Sequence, residues 1–187
     1  MTRGRIAVRT AEASQAPKLH TLISANLEEG HLLPRTLDEL VVHAERFAIA
    51  VGGSKIVGCA ELAPLSPYVA EVRSLAVDRL YRSRGVGAQL VDELRRRARH
   101  DGFEKLCAFT HAPGYFIQMG FSIVPHLWLP EKIFADCVTC PHFRQCGQHA
   151  MIVSLDEASD RSHDDVRGRP LELMADGRRP ASVARYA

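Results

Sequence analysis

Two arginines and two glycines stand together where an apolar strand pattern gives way to a helical one. The stretch RSRGVG, residues 82–87, supplies Arg82, Arg84, Gly85 and Gly87. The leading N–H groups of a helix have no partners inside it, and the helix dipole favours negative charge there. Glycines let an anion approach those amides, and the arginines add charge-assisted donors. The spacing predicts a phosphate or pyrophosphate site, although a plain strand-to-helix turn in a solvated basic patch would use the same residue types.

Two better-known phosphate motifs do not fit this stretch. No Lys-Ser or Lys-Thr follows the glycines, which excludes a Walker-type loop. The third glycine and the downstream acidic strand end of a dinucleotide fingerprint are also missing. The turn therefore has to be interpreted from the elements around it.

A second group with possible chemistry is a cluster of thiols near residue 140. Cys137, Cys140, Cys146 and His149 have the spacing C-x2-C-x5-C-x2-H, and His142 is a rival fourth ligand. Three thiols and one imidazole can complete a tetrahedral structural zinc site, and packed free thiols are the alternative. We assign no metal ligand on this pattern.

Hydrophobic periodicity predicts strands and helices alternating over residues 1–155. Strands are expected at 5–9, at a hairpin turning at Gly52 and Gly53, at 71–78, at 105–110, at 121–125 and at 149–155. Four helices are predicted. The first has Leu19, Leu22, Ile23 and Leu27 on its buried face, and the second starts at Thr36. The third ends at Gly102 and has Val86, Leu90, Val91, Leu94 and Ala98 on its buried face, and the fourth is short and closed by Gly120. This pattern predicts a mixed α/β (α+β) domain.

Composition narrows the class of protein further. The 187 residues carry a formal charge of +2 and are 46% hydrophobic, which suits one globular domain and gives no argument for nucleic acid. No signal peptide or membrane-length apolar run is visible, and an odd count of five cysteines predicts a reducing, cytoplasmic setting. Residues 156–187 are polar and rich in Pro and Gly, so we expect a disordered tail.

The order of these segments resembles the GCN5-related N-acetyltransferase (GNAT) family. The family's signature, Arg/Gln-x-x-Gly-x-Gly/Ala, is matched by Arg82, Gly85 and Gly87, and the MGF that follows YFIQ is also typical. The resemblance covers about residues 3 to 155. It implies a mixed central sheet, flanked by helices, that splays between its two central parallel strands.

The same resemblance implies acetyl-CoA as co-substrate. The pantetheine arm is expected in the split, bonded to the backbone of Leu75, Ala76 and Val77. The pyrophosphate is expected on the amides of residues 84–88. The implied cofactor-binding residues are Leu75, Ala76, Val77, Arg82, Arg84, Gly85, Val86, Gly87 and Ala88.

A narrower resemblance connects this chain with the acetyltransferase domain of bacterial N-acetylglutamate synthases. It is carried by GHLLPRTLDEL, EVRSLAV and FIQMGFSIVPHLWLPEKIFADC. It implies acetylation of the α-amine of glutamate, the first committed step of arginine synthesis. The chain begins at the acetyltransferase, like the stand-alone form, so arginine inhibition through a kinase-like domain is not expected. A homodimer is possible, and neither nucleic acid nor a membrane is expected as partner.

Direct acetyl transfer requires a base, a stabilised oxyanion and a departing thiolate. The resemblance implies Glu71 as the base, acting through a water, and Thr110 beside the thioester sulfur; an exposed carboxylate and a structural threonine are the plain alternatives. The family's usual acid tyrosine is replaced by Phe116. The neighbouring Tyr115 points about 100° away on a helix, so it does not simply take over this role, but it stays an alternative acid. Cys107 lies in an apolar strand and is expected to be an inert core thiol.

Glutamate recognition requires cations for two carboxylates. The resemblance implies Arg35, with Arg73 and Ser74 as further contacts. A local bridge by Arg35 and a plain salt bridge between Arg73 and Glu71, which share a strand face, remain alternatives. Two other functions also remain open: acetylation of another amine, such as another amino acid, a peptide or an antibiotic, and acyl-CoA binding without turnover.

Overall fold

A seven-stranded mixed sheet forms the centre of the molecule in the computed structural model, which describes residues 6–29, 32–140 and 142–156. The strands, in chain order, are β1 Ile6–Thr10, β2 Phe47–Gly52, β3 Lys55–Pro64, β4 Val69–Val77, β5 Lys105–Thr110, β6 Ser122–Val124 and β7 His149–Ser154. Their spatial order is β1-β2-β3-β4-β5-β7-β6. The predicted mixed α/β class is confirmed. Arg5 and the tail predicted beyond Asp156 lie outside the described residues.

Five α-helices flank this sheet within the described residues. They are α1 Ala16–Ser24, α2 Leu37–Val42, α3 Val86–His100, α4 Pro113–Ile117 and α5 Pro130–Ala135. Thr36 caps α2 as predicted, since its hydroxyl accepts a hydrogen bond from the Glu39 N–H at 3.2 Å. None of the helices in this part of the chain combines the length and apolar character needed to cross a membrane.

The first helix is shorter than its sequence pattern predicts. It ends at Ser24, and Leu27 belongs to a following 3-10 turn instead of the helix face. The cause is Asn26, whose buried side-chain amide donates to the Leu22 carbonyl at 2.7 Å and so satisfies an acceptor at the helix end. The chain therefore turns away at Asn26.

The two parallel strands at the centre separate soon after they meet. Strands β4 and β5 are paired only from Val69 opposite Lys105 to Glu71 opposite Cys107, and both continue beyond that point. This is the splay that the sequence resemblance implied. Glu71 lies at the fork where the strands part.

A bulge bends β4 just past that fork. Cys59 of β3 faces Ala76, and Glu61 faces Arg73, so two residues of β4 lie opposite one residue of β3. Ser74, one of the two, has a φ of 50°, which is unusual for a residue other than glycine. The bulge keeps Arg73 and Ser74 together near one face of the sheet.

Apolar side chains cover both faces of the sheet. On one face Val86, Leu90 and Leu94 of α3 pack on the sheet, and on the other Leu19 and Ile23 of α1 do so. Each of these five residues is buried. The predicted buried face of α3 is therefore present, and the start of this helix is held firmly beside the splayed strands.

Candidate active site

A groove lies between the splayed end of β4 and the start of α3. Its volume is about 390 Å³. It is lined by Asn26, Leu32, Leu75, Ala76, Val77, Tyr81, Arg82, Ser83, Gly85, Val86, Gly87, Ala88 and Tyr115. Every residue predicted from sequence to bind the cofactor is in this set except Arg84. The two segments that carried the prediction are thus brought together.

Positions 85 and 87, at the start of α3, require glycine for different structural reasons. Gly85 is the residue before the helix and has a φ of 75°, in the left-handed region that side chains disfavour. Gly87 lies so close to Tyr115 that a Cβ atom there would be 2.5 Å from the phenol oxygen. The glycine turn therefore opens the leading amides of α3 to the groove and makes room for a tyrosine.

The two arginines of the turn are engaged within the chain. Arg82 donates to the Val77 carbonyl at 3.1 Å and to the Asn26 side-chain oxygen at 2.5 Å. The guanidinium of Arg84 lies 5.3 Å from the centre of the Tyr81 ring. Arg82 thus ties the turn to the end of β4 and to the end of α1.

Tyr115, the alternative acid, lies in the groove, where the sequence did not predict a side chain from α4. Phe116 points into the core and Tyr115 into the groove, as the angle between adjacent helical residues requires. Burial, with a smaller contribution from Asp92, raises the pKa of Tyr115 to about 12. Its phenol is therefore neutral near pH 7 and able to donate a hydrogen bond.

Glu71 is buried at the fork, 3% exposed, and is surrounded by cations. It accepts from the Lys132 ammonium at 2.8 and 2.9 Å and from Arg73 Nε at 2.5 Å. Asp136 bonds to both cations as well. Burial alone would lower the pKa of Arg73, but Glu71 and Asp136 outweigh burial and raise it, which keeps the guanidinium charged.

Thr110 ends β5 beyond the last residue paired with β4. Its hydroxyl oxygen accepts a hydrogen bond from the Ala112 N–H at 3.0 Å, which fixes the oxygen and does not use the hydroxyl proton. Cys107, on the same strand, is fully buried, and burial, followed by the charge of Glu71, raises the pKa of its thiol. As expected, Cys107 is a core thiol with no nucleophilic character.

Arg35 lies on the same face of the sheet but is already paired. It bonds to Glu61 at 2.7 Å, to Glu39 at 2.9 Å and to the Ser74 hydroxyl at 3.1 Å. Its side chain is 9% exposed and that of Glu61 is 1% exposed. Arg35 thus has the local bridging role left open above, and its predicted contact with a ligand carboxylate stays a prediction.

Three charged residues of this face were not found from the sequence: Glu61, Lys132 and Asp136. Lys132 and Asp136 lie in the LPEKIFADC segment, for which the resemblance implies no residue roles. Lys132 on α5 also lies 5.2 Å from the centre of the Phe109 ring of β5. The only sequence signal for this pair is its i, i+4 spacing, in a segment where the sequence pattern predicts no helix.

The thiol cluster does not form a metal site here. Cys137 and Cys140 are partly buried and Cys146 is exposed, all as free thiols. Within residues 6–29, 32–140 and 142–156, no group of three or more His, Cys, Asp or Glu side chains is placed to hold a metal ion. The zinc alternative therefore has no support from the geometry.

The chain is similar to known proteins in both sequence and structure. Residues 12–121 match the model of the Acetyltransferase (GNAT) family. An uncharacterised N-acetyltransferase of Chlorobaculum tepidum is 29% identical over 148 residues, covering 79% of this chain and 96% of the relative. An amino-acid acetyltransferase of Pseudomonas putida is 32% identical over 117 residues, covering 62% of this chain but 27% of the relative.

Solved structures give a similar result. The N-acetylglutamate synthase from Neisseria gonorrhoeae, complexed with coenzyme A and N-acetyl-glutamate, has a TM-score of 0.73 at 25% identity, covering 82% of this chain and 36% of that chain. A Mycobacterium tuberculosis protein in complex with CoA has a TM-score of 0.68 at 22% identity, covering 79% and 98%, a likeness of fold.

Proposed function

This chain belongs to the GNAT acetyltransferase family, since the family model covers more than half of it, and we propose that it transfers the acetyl group of acetyl-CoA to the α-amine of L-glutamate. The observation that carries the proposal is the buried Glu71 at the fork of β4 and β5. That carboxylate lies on the cationic face of the sheet, on the strand whose splayed end lines the cofactor groove.

The groove supports acetyl-CoA as the donor. The amides at the start of α3 suit the pyrophosphate, since they lack helical partners and lie at the positive end of the helix dipole. Leu75, Ala76 and Val77 offer strand backbone to the pantetheine amides where β5 has diverged from β4. The thioester would then reach the fork through the split.

The chemistry at the fork needs only the residues already described. Glu71 takes a proton from the acceptor's ammonium, directly or through a water, and the amine attacks the thioester carbonyl. The tetrahedral intermediate then expels the CoA thiolate, and the second proton of the nitrogen passes to that thiolate, which gives the neutral amide and free coenzyme A. Thr110, whose hydroxyl proton is not used in its bond to Ala112, can donate to that thiolate. No covalent enzyme intermediate is required.

Glutamate as acceptor is supported by the relatives and by local charge. The Pseudomonas putida relative is an amino-acid acetyltransferase, and the Neisseria gonorrhoeae synthase structure contains N-acetyl-glutamate. Three cations, Arg35, Arg73 and Lys132, lie on the sheet face that carries Glu71. Cations are the groups a dicarboxylic amino acid requires.

An acceptor panel tests this proposal. Coenzyme A release should be followed with L-glutamate, L-aspartate, L-glutamine and a lysyl peptide. We expect kcat/KM for glutamate to exceed that for each other acceptor by at least about tenfold, because a site with buried charged partners rejects analogues that leave them unpaired. Turnover of the lysyl peptide with no response to glutamate would refute the assignment.

A substitution at Gly87 tests the cofactor groove separately. In Gly87→Ala the new methyl would lie 2.5 Å from the Tyr115 oxygen, so the tyrosine must shift within the groove. We expect coenzyme A to bind about tenfold more weakly, a loss of about 1.4 kcal/mol, by titration calorimetry.

A double-variant cycle isolates the cause of that loss. Without the hydroxyl, the nearest ring atom, Cζ of residue 115, would be 3.4 Å from the added methyl, an ordinary contact. The variant that combines Gly87→Ala with Tyr115→Phe should therefore bind coenzyme A almost as tightly as Tyr115→Phe alone. If the double variant binds no better than Gly87→Ala, the contact with Tyr115 is not the reason.

A further inference from the structure

A carboxylate of the chain itself lies between two cations beside Glu71. The Asp136 carboxylate accepts from the Lys132 ammonium at 2.8 Å and from the Arg73 guanidinium. Lys132 is in α5 and Arg73 is in β4, and both also bond to Glu71. Two cations from different elements thus converge on one carboxylate next to the proposed base.

Asp136 is the outermost member of this group. Its side chain is 39% exposed, against 27% for Arg73, 13% for Lys132 and 4% for Glu71. It follows α5 directly, at the C-terminal end of that helix. Asp136 is the more exposed partner in both ion pairs, so its side chain can rotate into water while Arg73 and Lys132 stay bonded to Glu71.

The charges that remain favour another anion. Without Asp136, the two cations Arg73 and Lys132 would share the single carboxylate of Glu71. Both cations are largely buried, and partly buried cations need a partner of opposite charge. The position that Asp136 leaves therefore suits a carboxylate brought by a ligand.

We propose that Arg73 and Lys132 form a subsite for the α-carboxylate of the acceptor, and that Asp136 occupies this subsite until the acceptor displaces it. The proposal rests on the proposed function, because it assumes an amino-acid acceptor. The α-carboxylate is the group that fits. Lys132 lies 2.8 Å from Glu71, the proposed base for the amine, and an amino acid carries its amine and α-carboxylate on the same carbon.

The test removes the competing carboxylate. Binding of L-glutamate to the full chain saturated with coenzyme A should be measured by calorimetry for the wild type and for Asp136→Asn. An internal occupant lowers the apparent affinity by the fraction of molecules in which it blocks the site, so its removal should tighten binding roughly threefold to tenfold. Lys132→Met should bind glutamate at least about tenfold more weakly, since it removes a charged partner.

Amide analogues identify which carboxylate uses the subsite. L-Glutamine keeps the α-carboxylate and should gain affinity in Asp136→Asn, as glutamate does. L-Isoglutamine, whose α-carboxylate is an amide, should gain none. A gain for isoglutamine and none for glutamine would overturn the assignment to the α-carboxylate.

Two control variants make the same charge change elsewhere. Asp101→Asn alters the residue that follows α3, as Asp136 follows α5, and Glu131→Gln alters α5 itself, next to Lys132. Neither Asp101 nor Glu131 is bonded to Arg73 or Lys132 in the structure. Tightening in either control equal to that in Asp136→Asn would mean a general field effect and would overturn the proposal.

Failure of this inference is distinguishable from failure of the proposed function. If the wild type acetylates glutamate and Asp136→Asn binds glutamate no more tightly, glutamate is the acceptor and the proposed subsite is wrong. If the wild type does not acetylate glutamate and Asp136→Asn still binds glutamate more tightly, the subsite is supported and the proposed acceptor is wrong. If Asp136→Asn and Asp136→Ser both unfold, Asp136 is a structural anchor, and the proposal falls as well.

Discussion

The Glu71→Gln variant is expected to lose at least about a hundredfold in kcat with L-glutamate, because positioned general bases typically contribute that much or more. Glutamine keeps the volume of the side chain and one oxygen for Lys132 and Arg73, but it cannot take a proton. The groove lies beyond the fork, so coenzyme A should bind the variant with unchanged affinity. Steady-state kinetics and calorimetry on the same preparation measure the two quantities.

The pH dependence of the residual activity shows whether a base has been lost. Without Glu71, only acceptor molecules that are already deprotonated in solution can react. Turnover by the variant should then rise about tenfold per pH unit below the pKa of the substrate's amine, more steeply than turnover by the wild type. A uniform loss with an unchanged pH profile would indicate that Glu71 only holds Lys132 and Arg73 in place.

Glu93→Gln is the matched control for this experiment. Glu93 is also a partly buried carboxylate held by two cations, since it pairs with Arg96 and Arg97 at 2.8 Å. Those hydrogen bonds, partly offset by burial, lower the pKa of Glu93 to about 2. Glu93 is on α3, away from the fork, so its loss should leave kcat unchanged. An equal fall in kcat for both variants would contradict a special role for Glu71.

The cofactor groove could be predicted from the sequence because its parts are local. The left-handed turn at Gly85, the amphipathic pattern of α3 and the preceding apolar strand lie in one stretch of the chain, and all appear in the structure. What local pattern could not predict is Tyr115, which reaches the groove through the packing of α4. Tyr115 contacts Gly87 through the tertiary fold, and no periodicity in the sequence predicts such a contact.

The ionic face could be predicted only in part. The shared face of Glu71 and Arg73 follows from strand alternation, and the structure has that pair. Lys132 and Asp136 are 61 and 63 residues from their partners on β4, so no local rule connects them. The bulge at Ser74 was also unpredictable, because its residues carry no glycine and read as an ordinary strand. Ion pairs between distant residues and β-bulges depend on how the whole sheet is assembled.

Arg35 has a structural role beside its predicted contact with the acceptor. The resemblance implies that Arg35 binds the acceptor, and the structure shows it bonded to the buried Glu61, which lies opposite Arg73 in the sheet. Arg35→Met should therefore destabilise the fold by about 3–5 kcal/mol, since removing one partner leaves an uncompensated buried charge. Urea unfolding followed by circular dichroism measures this loss.

Two further variants separate that effect from acceptor binding. Glu39→Gln removes the other, more exposed partner of Arg35 and should cost no more than about 1 kcal/mol. Arg35→Met with Glu61→Gln removes both charges of the buried pair and should recover much of the lost stability. If this double variant is stable but still binds glutamate weakly, Arg35 contacts the acceptor as well. If it regains both stability and glutamate affinity, the arginine acts only by neutralising Glu61. A single variant Arg35→Met as stable as wild type would contradict the buried pair itself.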